Sequence, residues 1–406
     1  MSHYNLDGND IEAGRMLSGE EPVECHFEGR NLGDYERVDY GMIVAWARDS
    51  ESGLFGFIAP DGEWVVKPTF AMAPGDFHEG LAVFKEPGYM RLDGYCGFID
   101  TSGEIVIPPK YQYLDGRSYF SQGLAAVGED GTPYAGYIDK DGEWAIAPDF
   151  YNPLPFLGAY TPAGDKETVF GIIDKGGNWH VAPRFAWLGN FYDGLACGDE
   201  HMSDDNWNPR RGYVNESGEI VIEPNYGDWP EFDSFSEGRA KLTDRRTNLS
   251  IYIDRYGFPV GYTEVLSGGY FSEGLAQATD PYTNRAGFLG LDGNWAISPT
   301  FYFVHDFHDG LAAAVESGNS TSSRQVIGGQ AYLTTVAGMA GPLWGFIDKH
   351  GEWAIRPAYA GMRYFGAGFA AVQDMETQKW GVIDKEGRWM AKPRFENIGH
   401  FHIAEE

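Results

Sequence analysis

The chain has 406 residues, with Asp+Glu 60 against Lys+Arg 30, a formal charge of −30 at pH 7 with histidine neutral. A polyanion of this size repels phosphate backbones and anionic headgroups, which argues against nucleic acid or a membrane as partner and for a basic one. The 43% hydrophobic content excludes wholesale disorder, and 55 glycines without a collagen period indicate many turns.

From the N-terminus, residues 1–37 carry acidic and glycine-containing stretches such as Glu20-Glu21-Pro22 and read as a lead-in or cap. Met1 is not followed by a basic segment and an apolar run, and no apolar stretch is long enough to span a membrane, so the expected compartment is the cytoplasm. Cys25, Cys96 and Cys197 are far apart and odd in number, which suits buried free thiols and neither a disulfide framework nor a metal site.

Residues 38–406 read as a repeat array. One phrase, clearest as Gly136-Tyr137-Ile138-Asp139-Lys140-Asp141-Gly142-Glu143-Trp144-Ala145-Ile146-Ala147-Pro148-Asp149-Phe150, recurs about every 40 residues. Its nine copies start at Gly56, Gly97, Gly136, Gly171, Gly212, Ile251, Gly287, Gly345 and Gly381, and define units one to nine. Apolar residues alternate on both sides of an Asp-x-x-Gly turn, the pattern of a hairpin whose glycine takes a left-handed conformation. Ala59 and Gly290 replace the leading Asp, which predicts looser turns there. A proline follows, as at Pro68, Pro109 and Pro148, and is expected to end the pairing because it has no N–H to donate. Between copies runs a third phrase, Phe77-His78-Glu79-Gly80-Leu81-Ala82-Val83, repeated at Phe120 to Val127 and Phe307 to Ala312. Its small alanines suit a closely packed strand. Each unit therefore reads as three or four short strands.

Unit six departs most, with Ile251 for the first Gly, Pro259 for the Trp and Thr263 for the Pro, and should be the most distorted. Residues 316–341 interrupt unit eight, as a loop or an extra hairpin around Gln330 to Leu333. The array opens with Tyr40-Gly41-Met42-Ile43-Val44-Ala45, a copy of the third phrase, and stops at Gly399-His400-Phe401-His402, where that strand is next due. An N-terminal strand completing the last unit would close a ring. The fold class is thus all-β, nine tandem hairpin repeats in a closed or nearly closed propeller-like toroid, with an open β-solenoid as the alternative.

The phrase Gly-aromatic-Ile-Asp-x-x-Gly-x-Trp-x-Ile-x-Pro-x-aromatic, with a Glu-Gly-Leu-Ala-x-Val strand between copies, resembles the WG-containing β-repeat family of mostly bacterial proteins. The resemblance covers residue 41 to the C-terminus. It implies a tandem hairpin architecture and names no activity.

Six copies carry Trp in register, at Trp64, Trp144, Trp179, Trp295, Trp353 and Trp389, while Ile105 and Ile220 take the place in two. Isoleucine packs but does not stack on a sugar, so the row reads as inter-unit core and not as a glycan platform. Candidate binding residues lie off register, where the repeat does not demand them: Asp204, Asp205 and Trp207, and Asp228, Trp229 and Glu231. His305 with His308, and His400 with His402, are the close histidine pairs. No third ligand has metal spacing, and the Asp-Lys-Asp-Gly turns lack the carboxylates of a calcium loop. With neither a nucleophile motif nor a metal motif, no catalytic residue and no cofactor are assigned.

The leading expectation is a non-catalytic protein-interaction scaffold with a strongly acidic surface, such as an immunity or antitoxin-like binder of a basic partner. A glycan- or cell-envelope-binding module is the alternative from another class, and would expose the Trp row. A third, an enzyme in a central channel, would gather non-equivalent carboxylates or histidines there.

Overall fold

The computed structural model describes residues 42–86, 94–200, 211–223, 231–261, 264–316, 323–327, 330–334 and 342–404. The expected lead-in at 1–37, Cys25 and Thr263 lie outside these residues. The described residues form antiparallel sheets of short strands and contain no helix.

Unit two sets the pattern. Phe77–His78, Leu81–Glu86, Tyr95–Asp100 and Ile105–Gln112 pair in chain order as a meander. Unit seven repeats it with Ser267–Ser272, Leu275–Thr279, Ala286–Gly290 and Trp295–Phe301. The strand before the turn is buried on both faces, and alternation divides it between two cores. Ile99 packs with Phe57, Val66 and Phe84 on the side of unit one, whereas Phe98 packs with Phe120, Ala125 and Ile138 of unit three. Each unit is therefore sandwiched by its sequence neighbours. The alanines of the third phrase, such as Ala82, Ala125, Ala196 and Ala312, are fully buried, as close sheet packing requires.

The repeated turn glycine is needed twice over. Gly142 has φ 76°, and its N–H donates to Asp139 O at 3.0 Å. A Cβ there would also sit 3.0 Å from Ile107 Cγ2 of the preceding unit. Asp139 Oδ1 accepts the N–H groups of Asp141 and Glu143, both at 3.0 Å. The turns at Ala59 and Gly290 are no looser: Gly62 N–H donates to Ala59 O and Gly293 N–H to Gly290 O, both at 2.9 Å. Asp61 and Asp292, two residues later, supply the missing carboxylate to Glu63 N–H and Asn294 N–H.

Proline does not end the ladder. Trp64–Phe70 runs through Pro68, and Phe55 pairs with Phe70 beyond it, because a bulge between Val66 and Phe70 takes the residue that cannot donate. Gly56 opposite has no Cβ to strike the bulged backbone of Val66, Lys67 and Pro68. In unit six the strand after the turn shrinks to isolated bridges, Ile253 with Pro259 and Ser250 with Val265. The insertion contains a hairpin, Ser323–Ile327 against Gln330–Thr334.

A second device links units. Glu79, Asp193, Glu237, Glu273 and Asp309 occupy left-handed backbone (φ 51–55°) in two-residue hairpins, a place where asparagine or glycine is the usual choice. Each carboxylate accepts the N–H of a glycine in the corresponding turn of another unit: Gly123, Gly238, Gly274, Gly310 and Gly368. Lys140, Lys349 and Lys385 pair with three of them, on Glu79, Glu273 and Asp309 at 3.3, 3.0 and 2.6 Å.

The first and last described strands share one sheet. Ile43–Arg48 pairs with Asn397–Ile398 and His402–Ile403 as well as with Phe55–Ile58. Ala45, Ala47 and Ile58 join Ala391, Phe395, Ile398 and Phe401 in one core.

Candidate functional site

The residues that precede and follow the buried phenylalanine of the third phrase face the next unit. Ser121, Ser236 and Ser272 donate from Oγ to the carbonyls of Phe156, Phe271 and Phe307, each at 2.6 Å. Histidine takes the same place in other units: His78 packs on Tyr119 and His308 stacks on Tyr364, with ring centroids 4.7 and 4.1 Å apart. The position is thus an inter-unit contact.

Around His308 this contact opens into a cavity of about 390 Å³, lined by His305, Asp306, His308, Met362, Arg363, Tyr364 and His400. The side chains come from Phe303–His308, from the segment after Gly361–Met362, and from the C-terminal segment. Tyr364 is sandwiched, with His308 on one side and His400 on the other at 3.4 Å between centroids. His305 lies against Trp344 at 5.2 Å. Arg363 is anchored by Nε to Ile398 O and by Nη2 to Asn397 Oδ1, both at 3.2 Å, with its guanidinium 4.8 Å over Trp380.

Burial controls the charges. It pushes His305 and His400 down to about 4, the latter helped by Arg363, and also lowers His308. It pushes Asp306 up to about 6, against the pull of the Gln277 N–H and Lys241. The imidazoles at the cavity are therefore neutral at pH 7, while Asp306 and Arg363 carry opposite charges. Asp306 Oδ1 and His400 Nδ1 are buried without a hydrogen-bond partner. Behind Asp306, Lys241 occupies a place where the repeat has Val83, Ala126 or Ala313. It is 4% exposed, 2.9 Å from Asp233 Oδ2 and 2.8 Å from Gly268 O.

The residues selected from sequence fall elsewhere. Asp204, Asp205, Trp207, Asp228 and Trp229 lie outside the described residues, and Glu231 pairs with Arg245 at 3.2 Å. The two C-terminal histidines serve different neighbours: His400 stacks on Tyr364, while His402 Nε2 accepts the Phe77 N–H at 2.9 Å. The repeated Trp are inter-unit packing but not buried. Trp64, Trp144, Trp179, Trp353 and Trp389 stand edge-to-face on Phe395, Tyr111, Phe150, Phe301 and Tyr359, and Trp179 and Trp389 remain 38% and 39% exposed. Cys96 and Cys197 are buried free thiols, and burial pushes both up to about 12. Among the described residues no helix is long and apolar enough to cross a membrane.

Of the lining residues the sequence singles out His305, His308 and His400 as members of close pairs; Asp306, Met362, Arg363 and Tyr364 belong to no local motif. The available signal was within the repeat: two residues before the phenylalanine, Gly75, Ser118, Gly189 and Gly269 give way to His305 and Arg363.

No curated protein matches the chain. Among solved structures, it is similar to BamB from Moraxella catarrhalis (10% identity, 73% of this chain and 92% of that one, TM-score 0.39). It is also similar to AztD from Citrobacter koseri (11%, 88% and 96%, 0.31) and to Hsv2 from Kluyveromyces lactis (9%, 77% and 97%, 0.32). The model of the WG containing repeat matches residues 55–88, 97–132, 136–152, 170–197, 212–241, 287–319, 344–374 and 380–402, passing over the distorted sixth unit. With its hairpins, turn glycines and half-buried tryptophans recurring in register over more than half its length, the chain belongs to the WG containing repeat family.

Proposed function

We propose that the repeats close into a propeller-like ring of nine units, and that this ring is a non-catalytic cytoplasmic scaffold that meets a basic protein through its acidic surface. Closure is supported by contacts between the last and first units that copy those between neighbours. Trp64 stands on Phe395 as Trp144 stands on Tyr111, and a Cβ on Gly62 would press on Ala391 Cβ at 2.7 Å as one on Gly177 would press on Ile146.

The observation that carries the partner is an in-register set of exposed carboxylates just after the turn glycine: Glu63, Glu104, Glu143, Glu219 and Glu352. Among the described residues, only Glu63 of this set has a cation within ion-pair distance, Arg394 at 3.8 Å. The belt is thus a largely uncompensated negative surface, which accelerates encounter with a basic protein and repels an acidic one. The half-exposed Trp179 and Trp389 favour glycan binding as a second reading.

The test is affinity capture of proteins from a bacterial extract on the immobilised chain, washed with rising salt, beside a variant with all five glutamates changed to Gln. Basic proteins retained by the parent, released by salt and lost from the variant are the expected result. Recovery of nothing, or equal retention by the two chains, overturns the charge-driven reading.

A further inference from the structure

We propose that the cavity beside Tyr364 binds a small amino-carboxylate, a molecule of amino-acid or dipeptide size bearing both a protonated amine and a carboxylate. Two opposite charges line this cavity, Asp306 and Arg363, and among the described residues neither forms an ion pair within 4.0 Å, with the other or with any third group. Their own anchors hold them apart. Arg363 is tied to Ile398 O, Asn397 Oδ1 and the face of Trp380, all neutral groups. Asp306 sits against Gly269 and Gln277, where the Gln277 N–H and Lys241 draw on its charge, and its Oδ1 is buried there without a partner and out of reach of the cavity. The nearby Lys241 is committed to Asp233 and Gly268 O.

Fixed charges that do not collapse onto one another leave each partly desolvated and unpaired, a costly arrangement in a protein interior. A zwitterion relieves both at once, its carboxylate on the guanidinium and its ammonium on Asp306. A simple anion gains Arg363 but is repelled by Asp306, and a simple amine meets the reverse. The cavity volume of about 390 Å³ lies near the small end of ligand pockets, roughly 300–1,000 Å³, and limits the guest to this size. Met362 supplies an apolar wall, and the neutral imidazoles of His308 and His400 supply hydrogen bonds without further charge. The fold does not require the charge pair. An aspartate recurs at the place of Asp306 only in unit two, as Asp76, where the place of Arg363 is Gly75; elsewhere the two places hold Tyr119 and Ser118, Asn190 and Gly189, Ser234 and Asp233, and Tyr270 and Gly269.

The inference is independent of the acidic belt, since an empty cavity leaves the belt's partner untouched. It is tested by calorimetric titration of the full chain near neutral pH with each proteinogenic L-amino acid and with glycylglycine. Any that binds is then compared with its N-acetyl and carboxamide derivatives. The expected result is saturable binding of at least one free zwitterion, weakened about tenfold or more by blocking either end. Asp306→Asn and Arg363→Met should each weaken it similarly, while Arg363→Lys, which keeps the charge, retains part of it and controls for folding. Absence of saturable heat from every free zwitterion at millimolar concentration overturns the proposal. So does an N-acetyl derivative that binds as tightly as its parent, which marks a plain anion site.

Discussion

Replacing Glu273 separates two effects that the structure places on one residue. Its carboxylate accepts the Gly310 N–H at 3.1 Å and pairs with Lys349 Nζ at 3.0 Å, while its backbone is left-handed at φ 55°. A hydrogen bond to a charged acceptor in this half-buried setting contributes about 1 kcal/mol, less than a fully buried one. The ion pair, with side chains 30% and 45% exposed, adds about 0.5 kcal/mol. Glu273→Ala loses both and keeps a Cβ in left-handed backbone, a net cost of about 1.5 kcal/mol. Glu273→Gly loses the same contacts but sheds roughly 1 kcal/mol of backbone strain, so it should be the more stable variant. The assay is urea unfolding followed by tryptophan fluorescence, with Trp353 close in sequence to Lys349. Burial raises the Glu273 carboxyl, but the bonds from Lys349 and Gly310 outweigh it and hold the group below its usual value. A depressed carboxyl stabilises fully above its unfolded pKa, so the gap between wild type and Glu273→Ala should persist at neutral pH and close as pH falls below about 4.5. An alanine variant as stable as the glycine one, or a gap indifferent to acid, refutes the reasoning.

Further outcomes follow from the same contacts. Gly177→Ala forces a Cβ at φ 77° to within 2.7 Å of Ile146 Cγ2, and should cost about 2–4 kcal/mol in urea unfolding. Lys241→Met restores the apolar character of the repeat but strands Asp233, so it should destabilise by about 2 kcal/mol, and Lys241→Met/Asp233→Asn should recover at least half of this. In a Cys25→Ser background the native chain should give no reaction with a thiol reagent at about pH 8, because burial holds Cys96 and Cys197 protonated; both should react once urea unfolds it.

What the sequence makes legible is whatever one unit can specify alone. The Asp139-to-Gly142 turn, the paired strands around it and the buried alanines are local, and each follows from backbone sterics. Features that need two units are harder to read. That Phe98 and Ile99 enter different cores requires knowing that sheets lie on both sides. Pro68 resembled a terminator because the bulge that accommodates it depends on Gly56 across the ladder. Likewise, Asp61 and Asp292 replaced the absent turn carboxylates from a position where the pattern gave no reason to look. The cavity was the least legible feature, since His305 and His400 lie far apart in the chain and repeat-equivalent places hold unlike side chains.

The sheet that joins the first and last described strands has a consequence for biosynthesis. Ser50 Oγ donates to Arg394 O across 344 residues, so this sheet forms only after Arg394 and the segment that follows it have been made. Closing a loop roughly nine times longer than the step between neighbouring units costs only about 2 kcal/mol more in chain entropy, because the cost grows with the logarithm of length. Burying Ile398 and Phe401 in the shared core offsets that. The exposure before closure is the larger risk. Until Asn397–Ile398 and His402–Ile403 arrive, Ile43–Arg48 presents an open strand edge on the nascent chain, available to any other strand it meets. Chains that stall before Arg394 should therefore be the ones that aggregate.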